Sequence, residues 1–273
     1  MPNSDRFDLS ADAALVTGGA SGIGKAVATA LVEHGARVLI GSRNAEKVKL
    51  AVTEIQRQTE ADEVDDAEPI VAGVSLDVTS DESVERATRT AVEVFGHVDI
   101  LVNCAGFGAK MSLFDQTPTD FACLYETHVN GSLRCALVAG HLMREQHRGC
   151  IINVASISSF VDLIGVSAYA AAKSAVLGLT RSLANEWAQY GIRTNAIAPG
   201  FIPTDLNREL IVGTDRGRRI LEHTPMGRFG NADEIAGAAV FLASKAASFV
   251  NGHTLVVDGG YLACGIGDSV VRE

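Results

Sequence analysis

The sequence predicts an α/β protein built on a doubly wound, seven-stranded parallel sheet with helices on both faces. Short β-type runs alternate with helical patterns almost from end to end, the order that calls for parallel strands joined by helical crossovers. Aromatic residues make up only 5% of the chain, while Ala, Val, Ile, Leu and Gly are abundant. That mixture suits helices packed closely on a buried sheet. With 273 residues, 47% of them hydrophobic, the chain can fill one large core, so residues 1–273 are read as one domain.

The strands are expected at Ala14 to Thr17, Arg37 to Ser42, Ile70 to Val78, Asp99 to Asn103, Cys150 to Ser156, Arg193 to Pro199 and His253 to Val257. After the first, KAVATALVEHG reads as a helix with Gly35 at its C-terminal end. Between the second helix and the third strand, the acidic stretch QTEADEVDDAEP reads as a solvated surface loop. A long irregular stretch rich in Gly, Pro, Arg and Thr, roughly 200–231, follows the sixth strand and has the length of a mobile substrate-covering element.

A formal net charge of −10 repels phosphodiester backbones and anionic membranes, so neither nucleic acid nor a membrane is expected as a partner. No run of apolar residues is long enough to span a bilayer, and the N-terminus lacks a basic segment followed by an apolar one. A cytoplasmic location is expected. Five cysteines without a CxxC pair read as reduced, mostly buried small hydrophobes, and the histidine spacing supports no metal site.

The first strand runs directly into TGGASGIG, Thr17 to Gly24, and then into a helix. Gly18 permits the tight turn, Gly22 lets backbone N–H groups approach a pyrophosphate, and Gly24 lets the helix pack closely. Ser21 and Ile23 complete this dinucleotide-binding turn of Rossmann type. An acidic residue closing the second strand would bind the 2′-hydroxyl of NAD, but here the strand ends in Ser42 and Arg43. The fork of donors on Arg43, assisted by the Ser42 hydroxyl, suits a 2′-phosphate and points to NADP(H), with NAD(H) as the second possibility.

Tyr169 and Lys173 stand four apart in a strongly helical segment, so both side chains emerge on one face. Bringing a phenol of pKa about 10 near neutrality takes roughly 4 kcal/mol, comparable to a cation about 4 Å away at moderate dielectric. Tyr169 is therefore the expected acid/base, with Lys173 and the positive nicotinamide ring of the oxidised cofactor supplying the charge. Ser156 lies at the carboxyl end of a strand, where open α/β sheets bind ligands, and can hold the substrate oxygen. Asn130 interrupts a long helical pattern beside Gly131, a local conflict that marks a functional candidate.

The spacing TGxxxGxG, with Ser156, the Tyr169/Lys173 pair and PGFIPT in that order, resembles the short-chain dehydrogenase/reductase family over nearly the whole chain. The resemblance implies that Asn130 holds a water connecting Lys173 to solvent. It implies that Asp77 and Val78 lie beside the adenine, and that Asn103, Ala105 and Gly106 of NCAG line the cofactor. It further implies that Pro199, Gly200, Ile202 and Thr204 hold the nicotinamide, and that the chain forms a homo-oligomer, a tetramer or dimer. Two departures stand out: Ser21 replaces a basic residue common in NADP-dependent relatives, and Cys104 replaces the commoner Asn.

IGSRNAEK and VFLASKAASFVNGHTLVVDGG are similar to the gluconate 5-dehydrogenase branch of that family. The expected reaction is hydride transfer between NADP(H) and a secondary alcohol or ketone, on a sugar acid or polyol. The alternative is a 3-oxoacyl-(acyl-carrier-protein) reductase or generic ketone reductase. Arg208, Arg216, Arg218 and Arg219 either bind an acidic ligand or form a solvated face. A non-catalytic NADP-binding regulator on this fold would be expected to lose the Tyr or the Lys, and both are kept.

Overall fold

The computed structural model describes residues 6–59, 69–108, 110–205 and 207–265. Seven strands form one sheet: β1 (Ala13–Thr17), β2 (Arg37–Ser42), β3 (Val71–Ser75), β4 (Ile100–Asn103), β5 (Gly149–Val154), β6 (Ile192–Pro199) and β7 (Thr254–Val257). Every pairing is parallel, in the order β3-β2-β1-β4-β5-β6-β7. The chain runs outward from β1 through β2 to β3 and then crosses back to place β4 on the other side of β1, which opens a crevice at the carboxyl ends of β1 and β4.

Alternation along each strand divides the core. Ala14 and Val16 of β1, Ile100 and Val102 of β4, and Cys150 and Ile152 of β5 face one side. There they meet α1 (Gly22–Glu33), α2 (Ala45–Thr59) and α9 (Ala232–Ala243). Ala13, Leu15, Leu101 and Ile151 face the other side, against α3 (Asp81–Phe95), α5 (Gly131–Gln146) and α6 (Ser167–Trp187). Each fully buried Leu, Ile or Val removes enough apolar surface to contribute roughly 1.5–3 kcal/mol.

Small residues bring the layers together: a Cβ on Gly140 of α5 would lie 2.6 Å from the Trp187 ring of α6. Gly35, at φ +95°, ends α1 as expected. α4 (Pro118–Tyr125) begins with a capping box between Thr117 and Asp120 and continues into α5 through one turn of π-helix, Glu126–Asn130. Beyond β6 come α7 (Arg208–Ile211) and α8 (Asp215–His223), within the stretch expected to be irregular.

The third strand is shorter than the expected 70–78. Leu76 N still donates to Ser42 O at 3.0 Å, but Asp77 N turns to Ser83 Oγ, so the chain leaves the sheet there. The acidic loop reading falls mostly on residues 60–68, which lie outside the described residues, while Gln58 and Thr59 close α2. Cys135 and Cys150 are buried as expected, but Cys123 is exposed and Cys104 and Cys264 are intermediate. Among the described residues, no helix is long and apolar enough to cross a membrane.

Candidate active site

The crevice between β1 and β4 is closed by one side chain. Thr17 Oγ1 accepts from the backbone N–H groups of Cys104 (3.1 Å) and Ala105 (3.0 Å), joining the two strand ends. Gly18 and Gly22 adopt φ +70° and +52°, which side chains rarely take. A Cβ on Gly18 would stand 2.9 Å from the Ala105 backbone, and one on Gly24 would stand 2.3 Å from Gly18 O. Ser21 precedes α1 in an extended conformation without capping it, and no acidic residue occupies the first turn. The first N–H groups of α1 are thereby left for an anion. Ile23 packs against the core below the turn.

At the end of β2, Ser42 is partly buried and Arg43 exposed. Arg43 and Asp77 lie close enough for the guanidinium to help hold the Asp77 carboxyl below its usual range, although hydrogen bonds from Thr79 do most of this. The Asp77 carboxylate accepts from Thr79 N and Oγ1 at 2.9 and 2.8 Å, so it shapes its own turn. Val78 is buried against Gly131, and its carbonyl accepts from Arg134.

Pro199 ends β6, and a Cβ on Gly200 would lie 2.7 Å from Asp258 Cα, so the chain turns tightly against the segment after β7. Ile202 is buried, and Asn207 ties this turn by donating to Ile202 O and accepting from Thr204 N. The turn delivers Thr204 to the glycine turn, with its Cγ2 3.2 Å from where a Cβ on Gly22 would stand.

Beside this crevice, Ser156 follows β5, accepts from Ser158 N at 3.1 Å and shares a side-chain hydrogen bond with Tyr169. Lys173, one turn along α6, is 6% exposed and donates to Val154 O at 2.6 Å. Its Nζ stands 5.6 Å from the centre of the Tyr169 ring. Burial pushes the Tyr169 phenol up to about 12, with the Ser156 hydrogen bond opposing. Burial pulls Lys173 down to about 8. The expectation joins Lys173 to the positive ring of an oxidised nicotinamide, and these directions are those of the chain alone. The ammonium faces the ring and the Val154 carbonyl, so desolvation outweighs its pull.

Residues 18–262 match the family described as enoyl-(acyl carrier protein) reductase. The chain is 39% identical over 261 residues to a 2-dehydro-3-deoxy-D-gluconate 5-dehydrogenase of Bacillus subtilis, covering 95% of this chain and 98% of that protein. The chain belongs to the short-chain dehydrogenase/reductase family. It is 35% identical to a gluconate 5-dehydrogenase of Gluconobacter oxydans, again over 95% of this chain and 98% of that one. A crystal structure of a gluconate 5-dehydrogenase from Burkholderia cenocepacia, in complex with NADP and tartrate, superposes with a TM-score of 0.89 at 35% identity. That comparison covers 97% of this chain and all of that one. Members of this short-chain dehydrogenase/reductase family are NAD(P)-dependent oxidoreductases acting on alcohols and ketones.

In this short-chain dehydrogenase/reductase chain, Asn130 does not join the Tyr169/Lys173 cluster. Its amide donates to Glu126, four residues back, where Arg134 also binds. The residue on the inner face is His128, which the sequence reading passed over. Its ring, 2% exposed, stands edge-on to Tyr169 with centroids 5.3 Å apart. Within the π-turn, Gly131 N donates to Glu126 O, five residues back, which alters which side chains face inward. The signal for His128 was a basic residue two places from Asn130, one turn after the buried Leu124 and one before the buried Ser132.

Asn103 is buried and donates to Ser132 O (3.2 Å) and Asn153 Oδ1 (2.9 Å), so its amide braces β4 against β5 and α5. Gly106 lies against His128, where a Cβ would stand 2.2 Å from Cε1. Of the four arginines near α7 and α8, Arg218 pairs with Asp215 and Arg216 lies near Tyr261, while Arg208 and Arg219 are exposed.

Proposed function

We propose that this chain interconverts a secondary alcohol and a ketone with NADP(H), and that its substrate class is a sugar acid or polyol. One observation carries the reading: Ser156, Tyr169 and Lys173 gather at the carboxyl edge of the sheet, beside a tight glycine turn that opens α1. The turn fits a dinucleotide, because glycines at 18 and 24 let the chain fold tightly at the start of α1, whose first N–H groups Ser21 leaves uncapped.

Gly18, Ser21, Gly22, Ile23 and Gly24 would hold the pyrophosphate. Ser42 and Arg43 would take the 2′-phosphate, with Asp77 and Val78 beside the adenine. Asn103, Ala105 and Gly106 would wall the far side, while Pro199, Gly200, Ile202 and Thr204 would set the nicotinamide face. The bound cofactor supplies or accepts the hydride, and its oxidised ring adds the positive charge that favours a phenolate. Ser156 orients the substrate oxygen and Tyr169 exchanges its proton. Lys173 stabilises the charge on Tyr169.

Residues 200–231, with α7 and α8, would cover the substrate. Similarity to gluconate-type dehydrogenases supports the sugar-acid class over the acyl-carrier alternative. Assembly into a dimer or tetramer, which would cover exposed apolar side chains such as Leu137, and a cytoplasmic location belong to the same reading. The test is NADPH oxidation across keto-sugar acids, simple ketones and 3-oxoacyl thioesters. Turnover confined to acyl thioesters would overturn the substrate class.

A further inference from the structure

The segment that would cover the substrate is lightly anchored. Among the described residues of 200–231, the buried apolar side chains are Ile202, Ile211 and Ile220. A segment with few buried apolar contacts opens easily, so the contacts that do hold it decide how it sits. Backbone hydrogen bonds tie its two ends: Gly200 N donates to Val257 O at 2.9 Å, and Gly230 N donates to Phe201 O at 3.1 Å.

Between those ends, α8 is met by the chain that follows β7. The Asp258 carboxylate accepts from Gly260 N and Leu262 N, both at 2.8 Å, which folds this stretch into a closed turn. The turn lies directly on the residues after α8. Met226 N donates to Gly259 O at 3.2 Å, and Cβ atoms on Gly259 and Gly260 would each stand 3.0 Å from Thr224 Cγ2 and Pro225 Cγ, respectively. Tyr261 is half-buried and wedged between two rings. Its centroid is 5.2 Å from that of Phe201, where the cap leaves β6, and 4.5 Å from that of His223, the last residue of α8. The planes meet at 66° and 68°, the edge-to-face arrangement that adds attraction beyond buried area. One side chain thus joins the root of the cap to the helix that the cap carries.

We propose that Tyr261 is a positioning residue whose ring latches α8 to the root of the cap and so holds residues 207–223 over the bound ketone. The inference rests on the reading that residues 200–231 cover the substrate. No bond or proton changes at Tyr261. Both contacts are made by the ring, so the ring and not the hydroxyl does the holding. Without the latch the cap spends more time open. The apparent substrate constant then rises in proportion to the closed fraction lost, while the glycine turn and the Ser156, Tyr169 and Lys173 group stay as they are.

Tyr261→Phe, Tyr261→Ala and His223→Ala test this by steady-state kinetics and limited trypsin digestion. The substrate is the one that the wild type reduces fastest among keto-sugar acids, simple ketones and 3-oxoacyl thioesters. Arg208, Arg216, Arg218 and Arg219 supply trypsin sites inside the cap. Tyr261→Ala should raise KM for the ketone about tenfold and speed cleavage within the cap by a similar factor, with NADPH affinity close to that of the wild type. Tyr261→Phe keeps the ring and should match the wild type in all three readings. His223→Ala removes one of the two ring contacts and should fall between them. Unchanged KM for the ketone in Tyr261→Ala would overturn the proposal, as would a Tyr261→Phe variant equally impaired. Parallel losses of NADPH affinity and ketone KM would mark general packing and overturn it too. Where Tyr261→Ala does not fold, His223→Ala carries the test, and wild-type KM and cleavage in that variant would sink the latch. Digestion needs no substrate, so the two readings separate: absence of turnover on every ketone would sink the proposed function, whereas unaltered cleavage in Tyr261→Ala would sink the latch.

Discussion

Thr204 and Gly22 meet across the nucleotide crevice: a Cβ on Gly22 would stand 3.2 Å from the Thr204 methyl, although β6 and the glycine turn are far apart in the chain. The contact joins the segment expected at the nicotinamide to the one expected at the pyrophosphate. Gly22→Val would crowd Thr204 and force a side chain into φ +52°, at a cost of order 1–3 kcal/mol. NADPH affinity, read by fluorescence titration, should fall by about tenfold or more, while circular dichroism stays that of the wild type. Unchanged affinity would mean that the turn does not bind the cofactor.

Arg43 is exposed at the tip of β2, free to meet a phosphate. Arg43→Asp removes a charge-assisted contact of roughly 1.5–3 kcal/mol and should weaken NADPH about ten- to a hundred-fold more than NADH. Parallel titrations with the two cofactors decide it, and equal effects would remove the basis for an NADP preference.

Tyr169→Phe deletes the hydroxyl that shares a hydrogen bond with Ser156. Loss of a positioned acid should lower kcat by at least about a hundred-fold, with NADPH binding retained. Single-turnover and binding measurements on one preparation separate the two quantities.

The pH dependence of stability follows from His128 and Lys173. His128 falls from 6.5 to about 3 in the folded protein, first through burial and then through Lys173. Between those values the unfolded chain binds more protons, so this contribution is full above pH 6.5 and is lost as pH falls toward 3. At about 1.4 kcal/mol per unit it amounts to roughly 3 kcal/mol by pH 4.5. Urea unfolding at pH 7 and 4.5 should show that loss in the wild type and its absence in His128→Asn.

On the alkaline side, Lys173 is lowered by burial from 10.5 to about 8, so the unfolded chain holds the extra proton between these values. Its contribution makes stability rise from pH 8 toward 10. Tyr169, raised from 10 to about 12 by burial, opposes that trend above pH 10. Lys173→Met should flatten the rise, which urea titrations at about pH 8 and 9.5 measure. An unchanged slope would show that Lys173 is not desolvated in solution.

The strands were legible because a parallel strand buried on both faces must be aliphatic along its length, and six of the seven were found within a residue or two of their expected ends. The exception, β3, ends early because Asp77 N finds Ser83 Oγ, a contact between segments that no local pattern announces. The glycine turn was legible because positive φ and close approach leave a direct residue signature. At Asn130 the helical conflict marked the π-turn, but local pattern does not say which side chain of a turn points inward, and the Asn130 amide turns to Glu126.

By itself, then, the sequence determined the alternation of strands and helices, the glycine turn and the four-residue step from Tyr169 to Lys173, since each depends on local periodicity or backbone freedom. The tertiary structure decided which polar groups lose water and which find partners. It turned Asn130 to Glu126, enclosed His128 beside Tyr169, and set Lys173 against the Val154 carbonyl. Desolvation is a property of everything packed around a group, and segments distant in the chain supply most of that packing.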